Sequence, residues 1–214
     1  MLELNEWHGV EVPDEVWDGV VGIYRASFPA AERMGEDALR ASIQSGGRRL
    51  WTLGSVDAFA IALDLATAPP WVFGEYLAVR ADARSGGLGG GLLGTLRGLG
   101  RPLVLEVEDP EWGGDMAARR IRFYERHGAR RVRGSEQFRA PDLETPGESV
   151  PMWLLQVPAD AGEELGDELG RMLMRAILSE GYGQTRRRGT MNRQAVERVM
   201  LAVTEVNGCP ACSW

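Results

Sequence analysis

The stretch Arg84-Ser85-Gly86-Gly87-Leu88-Gly89-Gly90-Gly91 is where residue types and spacing first point to chemistry. Glycine has no Cβ, so backbone N–H groups in such a turn can close on a ligand. The residues that follow, from Leu88 to Leu99, read as a helix. A helix start adds unpaired N–H groups and the positive end of the helix dipole at the same spot. That combination favours a phosphate group. A second chemical signal lies at the far end of the chain, in Cys209-Pro210-Ala211-Cys212. Two cysteines at that spacing can cycle between thiols and a disulfide, or supply half of a metal site. No second cysteine pair exists to complete such a site.

The elements that must position these residues follow from periodicity. A short strand pattern at 2–7 precedes a helix opened by Pro13-Asp14-Glu15, with Val16, Val20, Ile23, Tyr24 and Phe28 at helical spacing. A second helix is expected over 35–44. Runs at 49–53, 58–65 and 71–79 read as strands, the first two joined through the turn Gly54-Ser55-Val56-Asp57. After the glycine turn and its helix come a buried strand at 102–108 and a loop at 109–114. A helix at 115–127, stopped by Gly128, follows. Then come a short strand at 130–133, a long polar loop at 134–149 and a strand at 151–157. The order β, α, α, β, β, β, α, β, α, β, β predicts an α/β (α+β) domain with a mixed sheet over residues 1–158. Residues 159–214 read as a helical extension, with helices at 163–179 and 193–205 and the basic run Arg186-Arg187-Arg188 between them.

The chain has 214 residues and a net charge of −7. An acidic chain argues against a nucleic-acid partner, which wants a basic surface. No run of about 18 apolar residues is present, so no membrane span is expected. The N-terminus lacks a basic region followed by an apolar segment, which makes a cytoplasmic location the expectation.

Three readings of the glycine turn compete. A dinucleotide-binding turn has its strand running straight into the first glycine, whereas here Arg80 to Ser85 intervene. A Walker A loop would need a Gly-Lys-Ser or Gly-Lys-Thr that is absent. A mere connector is an expensive alternative, since six glycines fall among residues 86–94 and each weakens a helix by about 1 kcal/mol. The stretch resembles, instead, the acetyl-CoA-binding motif of the GNAT superfamily of N-acetyltransferases: Arg or Gln, two residues, Gly, one residue, Gly or Ala. Here it reads Arg84-Ser85-Gly86-Gly87-Leu88-Gly89, preceded by Leu77-Ala78-Val79-Arg80. Ile121-Arg122-Phe123-Tyr124-Glu125-Arg126-His127-Gly128-Ala129 is similar to that family's later helix, which typically reads Phe-Tyr-Glu-x-x-Gly-Phe, with Ala129 in place of the final Phe.

The resemblance implies a GNAT-like, mixed but mainly antiparallel central sheet flanked by helices. It implies an N-acetyltransferase that moves an acetyl group from acetyl-CoA to a primary amine of a small molecule or peptide, directly in a ternary complex and with no metal. The coenzyme site carried over is Leu77 and Val79 beside the pantetheine arm, with Arg84, Gly86, Gly87, Leu88, Gly89 and Gly90 at the pyrophosphate. Tyr124 matches the tyrosine that can protonate the departing thiolate; a core aromatic packed on Phe123 is the alternative. The Val79 N–H is the natural oxyanion donor in such a strand. Glu75 is the expected general base, with Glu106 and Glu108, which share one face of the next strand, as rivals. Acceptor contacts are expected from residues 28–33 and the 134–149 loop. Many relatives dimerise, so a homodimer is one expectation. A coenzyme-binding module without turnover is a further alternative.

The tail resembles a different family, the carboxymuconolactone decarboxylase and alkylhydroperoxidase D-like proteins. Their redox helix begins at a Cys-x-x-Cys, with a Glu twelve residues earlier, as Glu197 stands before Cys209, and a His four residues later, which this chain lacks. The likeness covers the front half of that fold, about residues 160–214. It leaves open a truncated remnant, a docking or oligomerisation segment, or a thiol redox function of Cys209 and Cys212.

Overall fold

The computed structural model describes residues 3–84, 86–157 and 166–183. Ser85, the expected helix at 193–205 and the Cys209/Cys212 pair lie outside the described residues. The strands are β1 (Leu4–Trp7), β2 (Arg49–Leu53), β3 (Ala58–Leu65), β4 (Trp71–Val79), β5 (Leu103–Glu108), β6 (Arg130–Arg131), β7 (Arg139–Pro141) and β8 (Ser149–Val157). The helices are α1 (Asp14–Ser27), α2 (Glu36–Gln44), α3 (Leu88–Arg97), α4 (Pro110–Arg126) and α5 (Asp167–Ala176). A 3₁₀ turn spans Ala30–Glu32, and α5 runs into a π-helical segment, Ile177–Tyr182. The sheet order is β1-β2-β3-β4-β5-β8-β6, with β7 paired to β8. Only β4 and β5 are parallel; every other pair is antiparallel. The expected mixed, mainly antiparallel sheet is present.

Alternation along the strands sends neighbouring side chains to opposite faces. On one face Ala58, Ala60, Leu103, Leu105 and Val107 meet Leu92, Leu93 and Leu96 of α3 and Ile121 and Tyr124 of α4. On the other, Leu50, Phe59, Ile61 and Tyr76 meet Trp17, Val20 and Tyr24 of α1 and Leu39 and Ile43 of α2. Further along that second face, Leu63, Phe73, Val104 and Leu154 pack against Leu173, Met174, Ile177 and Leu178. The helix assigned from sequence to a C-terminal extension therefore lies in the core of the sheet as far as it is described. Its apolar stripe needs a partner, and the exposed half of the sheet supplies one.

Two local expectations change. Residues 109–114 are not a loop: Asp109 caps a helix, its carboxylate accepting from the Glu111 N–H at 2.8 Å, with Pro110 in the first turn. The Gly113-Gly114 pair that suggested a loop instead kinks the helix, with Gly114 at φ 61°. Within the expected 134–149 loop, β7 pairs with β8 over Arg139–Pro141.

β4 carries the main irregularity of the sheet. Ile61 pairs with Tyr76 but Ala62 pairs with Gly74, so Glu75 is an extra, bulged residue. Its side chain meets Arg48, just before β2, in a buried two-pronged ion pair of 2.6 and 2.9 Å. The remaining Arg48 donors reach Ser42 Oγ at 3.1 Å and the Gly181 carbonyl at 2.9 Å. Arg48 thus ties β4, α2 and the π-helical segment together. Breaking a buried pair from one side leaves the other charge uncompensated, at a cost of about 3–5 kcal/mol. Arg48→Met should lose stability on that scale in urea unfolding, and the double variant Arg48→Met/Glu75→Met should lose clearly less. Equal losses in both would show that the pair is not the source.

Candidate active site

The bulge decides where the backbone of β4 points. The β4–β5 pairing covers only Val72↔Leu103, Phe73↔Val104 and Gly74↔Leu105. Beyond it, β4 continues to Val79 with β3 alone, and β5 continues to Glu108 with β8 alone. The two strands part and leave a cleft. The Arg80 N–H donates to Asp57 O of the β3 turn at 2.8 Å. By alternation along the strand, Tyr76 and Ala78 also bond toward β3, while Leu77 and Val79 turn their peptide groups to the cleft. Gly74 sits at the apex because a Cβ there would lie 2.5 Å from Leu105 Cδ2.

The glycine turn closes the open end of this cleft. Gly87 holds φ 75° before the first turn of α3, a conformation that costs most other residues 1–2 kcal/mol. At Gly90 a Cβ would stand 2.9 Å from His127 Nε2 at the end of α4, so the imidazole would have to move. Among the described residues, no atom lies within 4 Å of where a Cβ would stand at Gly91 or Gly94. The first N–H groups of α3 have no intrahelical acceptor, so the turn presents donors without side chains in the way. The Arg84 guanidinium lies beside the cleft, its Nε donating to Val79 O at 3.3 Å. Leu77, Val79, Arg84 and the residues from Gly86 to Gly90, which the sequence singled out together, therefore follow one another from the end of the β4–β5 pairing to the α3 N-terminus. These residues fit an extended ligand that ends in a pyrophosphate.

Candidate acid and base groups flank the cleft from opposite faces. Tyr124 is buried on the α3/α4 face, with its ring 5.2 Å from that of Phe123. Burial pushes its hydroxyl up to about 12, against a smaller opposing effect of Arg120, so it keeps its proton at neutral pH. Glu106 and Glu108 share the other face, as expected. Glu108 is ion-paired to Arg120, whose Nη2 also donates to Ser27 O at 2.9 Å. Glu106 accepts a hydrogen bond from Tyr182 Oη through Oε1, while Oε2 is buried with no partner among the described residues. Burial raises the Glu106 carboxyl to about 8; the Tyr182 hydrogen bond pulls it down and the Glu75 charge adds to the rise. Glu75, the base expected from sequence, has both oxygens engaged by Arg48.

Sequence reasoning did not single out Arg48, Arg120 or Tyr182, and it named Glu32 only within a stretch. Burial raises Glu32 to about 8, helped by the Glu108 charge and opposed by Arg120. The Tyr76 hydroxyl holds this segment on β4 by donating to Glu32 O at 2.9 Å. Phe28 and Tyr76 rings meet edge-on at 5.0 Å beside it. The signal for these residues is not in local pattern: the groups that meet are 27 to 93 residues apart. Among the described residues no His/Cys/Asp/Glu cluster could hold a metal ion, and no helix is long and apolar enough to cross a membrane.

Glu32 and Glu106 hold protons more tightly in the fold than at their ordinary value of 4.5. Such groups stabilise the fold fully below about 4.5 and lose that contribution as pH rises through about 8. The melting temperature should therefore fall from pH 5.5 to pH 8.5, and Glu106→Gln should flatten that slope. A slope unchanged by the substitution would contradict the buried, proton-holding carboxyl.

No protein-family model matches the chain. A presumed acetyltransferase of Bacillus subtilis strain 168, YjbC, is 41% identical over 56 residues, which are 26% of this chain and 29% of that protein. The match thus spans under a third of that relative's length. A solved structure from Bacteroides thetaiotaomicron, a presumed acetyltransferase of the GNAT family, superposes with a TM-score of 0.68 at 24% identity, over 84% of this chain and 98% of its own. Arabidopsis thaliana NAA60, solved with a bisubstrate analogue, superposes with a TM-score of 0.52 at 16% identity, over 73% and 98%. The same protein solved with acetyl-CoA also scores 0.52, over 72% and 99%. The parted β4–β5 pair, the glycine turn and the helices on both faces are held on one architecture: the chain has the GNAT acetyltransferase fold.

Proposed function

We propose that this protein is an acetyl-CoA-dependent N-acetyltransferase that acetylates a primary amine of a small molecule or peptide by direct transfer. The observation that carries this reading is the cleft between β4 and β5, with the glycine turn at its open end and Glu106 and Tyr124 on its two faces. The fold shared with NAA60, which has been solved with acetyl-CoA, supports the choice of donor. The coenzyme supplies an acetyl group activated as a thioester.

The chain's own groups then divide the work. N–H groups at the α3 start, and Arg84, receive the pyrophosphate. Running inward from that turn, Val79 comes first and Leu77 second, so the Leu77 N–H lies nearer the apex, where Glu106 projects. Leu77 therefore suits the oxyanion role better than Val79, the residue first expected. Glu106, whose Oε2 has no partner among the described residues, takes the proton from the amine on the α1 side of the cleft. Tyr124, on the α3/α4 side, gives a proton to the leaving sulfur. A base near pH 8 and an acid near pH 12 are each in the correct state at pH 8. Glu75 holds the bulge with Arg48 and leaves the base role to Glu106. The acid-rich acceptor side suits a cationic amine.

Millimolar acetyl-CoA should raise the melting temperature, and Gly87→Glu should abolish that shift by placing a carboxylate and a Cβ in the cradle. No shift in the wild type would sink the reading. With an amine panel and thiol-release detection, kcat/KM should rise with pH to a plateau above about 8. Glu106→Gln should lower it roughly 10²–10⁴-fold while leaving acetyl-CoA binding intact. Glu75→Gln losing activity at full stability, with Glu106→Gln active, would return the base to Glu75.

A further inference from the structure

The π-helical segment after α5 is fastened to the sheet at three separate points, two of them beside the candidate site. Glu180 Oε2 accepts from the Ala66 N–H beyond β3 at 2.9 Å. The Gly181 carbonyl accepts from Arg48 Nη2, the same guanidinium that holds the β4 bulge. Tyr182 Oη donates to Glu106 Oε1 on β5. Around these bonds Ile177, Leu178 and the Tyr182 ring are buried with Phe73 and Val104. π-Helical turns are rare and recur at functional sites, because the extra residue re-aims the side chains that follow. Here the re-aimed side chain reaches the carboxylate at the cleft.

We propose that Tyr182 is a positioning residue for the reaction: it holds Oε1 of Glu106, which leaves Oε2 as the oxygen to meet the acceptor amine. This rests on the assignment of Glu106 as the base. The geometry assigns the hydroxyl that role because Glu106 has one oxygen bonded to Tyr182 and the other buried with no partner among the described residues. A carboxylate held at one oxygen keeps its second lone-pair set at a fixed place and loses less freedom on meeting the amine. The other charged groups near Glu106 do not compete for it. Glu75 is taken by Arg48, and Glu108 by Arg120, while Glu32 lies near Glu108, whose charge helps raise its carboxyl. Tyr182 lies in surroundings that raise its own hydroxyl well above the ordinary value, first through burial and then through Glu106, so it stays a donor. Its bond favours the ionised form of Glu106. The C-terminal segment is thereby part of the catalytic apparatus.

Tyr182→Phe removes the hydroxyl and keeps the ring in the core. Two measurements test the inference on the full chain. One is the pH profile of kcat/KM; the other is carboxyl-carbon NMR of the Glu-labelled protein, with the Glu106 resonance identified by its loss in Glu106→Gln. The expected result is a rise in the Glu106 midpoint in both, with about a tenfold loss of rate at pH 7 for each unit of rise. The KM for acetyl-CoA and the melting temperature should change little. A Glu106 resonance that titrates alike in both proteins overturns the inference. So does a uniform rate loss at all pH values, which marks a structural role only. A shifted resonance beside an unshifted rate profile overturns the base assignment instead, so the two failures are separable.

Discussion

One extra residue in β4 is the constraint on which the site depends. Without the bulge at Glu75, β4 would stay in phase with β5 and the two strands could pair along their whole length. The bulge turns the peptide groups of Leu77 and Val79 to the β5 side just where pairing with β5 ends. Polar backbone at a sheet edge needs a partner, and an extended chain of amides can serve as one. The bulge is itself held by Arg48, a residue far from the cleft in sequence and central to it in space. A strand that merely frayed would not give an edge of defined position, so the ion pair makes the cleft a fixed feature.

Burial of acids is the second organising principle. Four glutamates, at 32, 75, 106 and 108, converge on one side of the cleft, and each is handled differently. Arg48 neutralises Glu75 and Arg120 neutralises Glu108. Glu32 lies near Glu108, whose charge helps raise its carboxyl, and Glu106 leans on a tyrosine hydroxyl. Burial raises the Glu106 carboxyl to about 8, although the tyrosine hydroxyl pulls it down. This difference in partners distinguishes the four acids more sharply than their positions along the strands do.

The pairing of Glu75 with Arg48 could not be read from sequence. A glutamate on the strand before the glycine turn is locally indistinguishable from one that faces an arginine. Its partner stands 27 residues away, and no spacing rule connects them. Tyr182 was invisible for a stronger reason. It follows a row of four-apart apolar residues that reads as an independent helix, and only the bare half of the sheet shows what that row covers. The start of α4 was missed because Gly113-Gly114 signals a turn by propensity, whereas the Asp109 cap and the pairing of β5 with β8 extend the helix back over it.

By itself the sequence determined the order of strands and helices apart from the short β7, the mixed sheet, the glycine turn after β4 and the tyrosine of α4. These are local matters: side-chain period, turn chemistry and a motif contained in a few consecutive residues. Tertiary structure alone decided which partner each glutamate meets, and where the β4–β5 pairing ends. It also decided that residues 167–182 belong to the core. Those outcomes depend on charges and hydrogen bonds between segments far apart in the chain, whose strength is set by burial and distance.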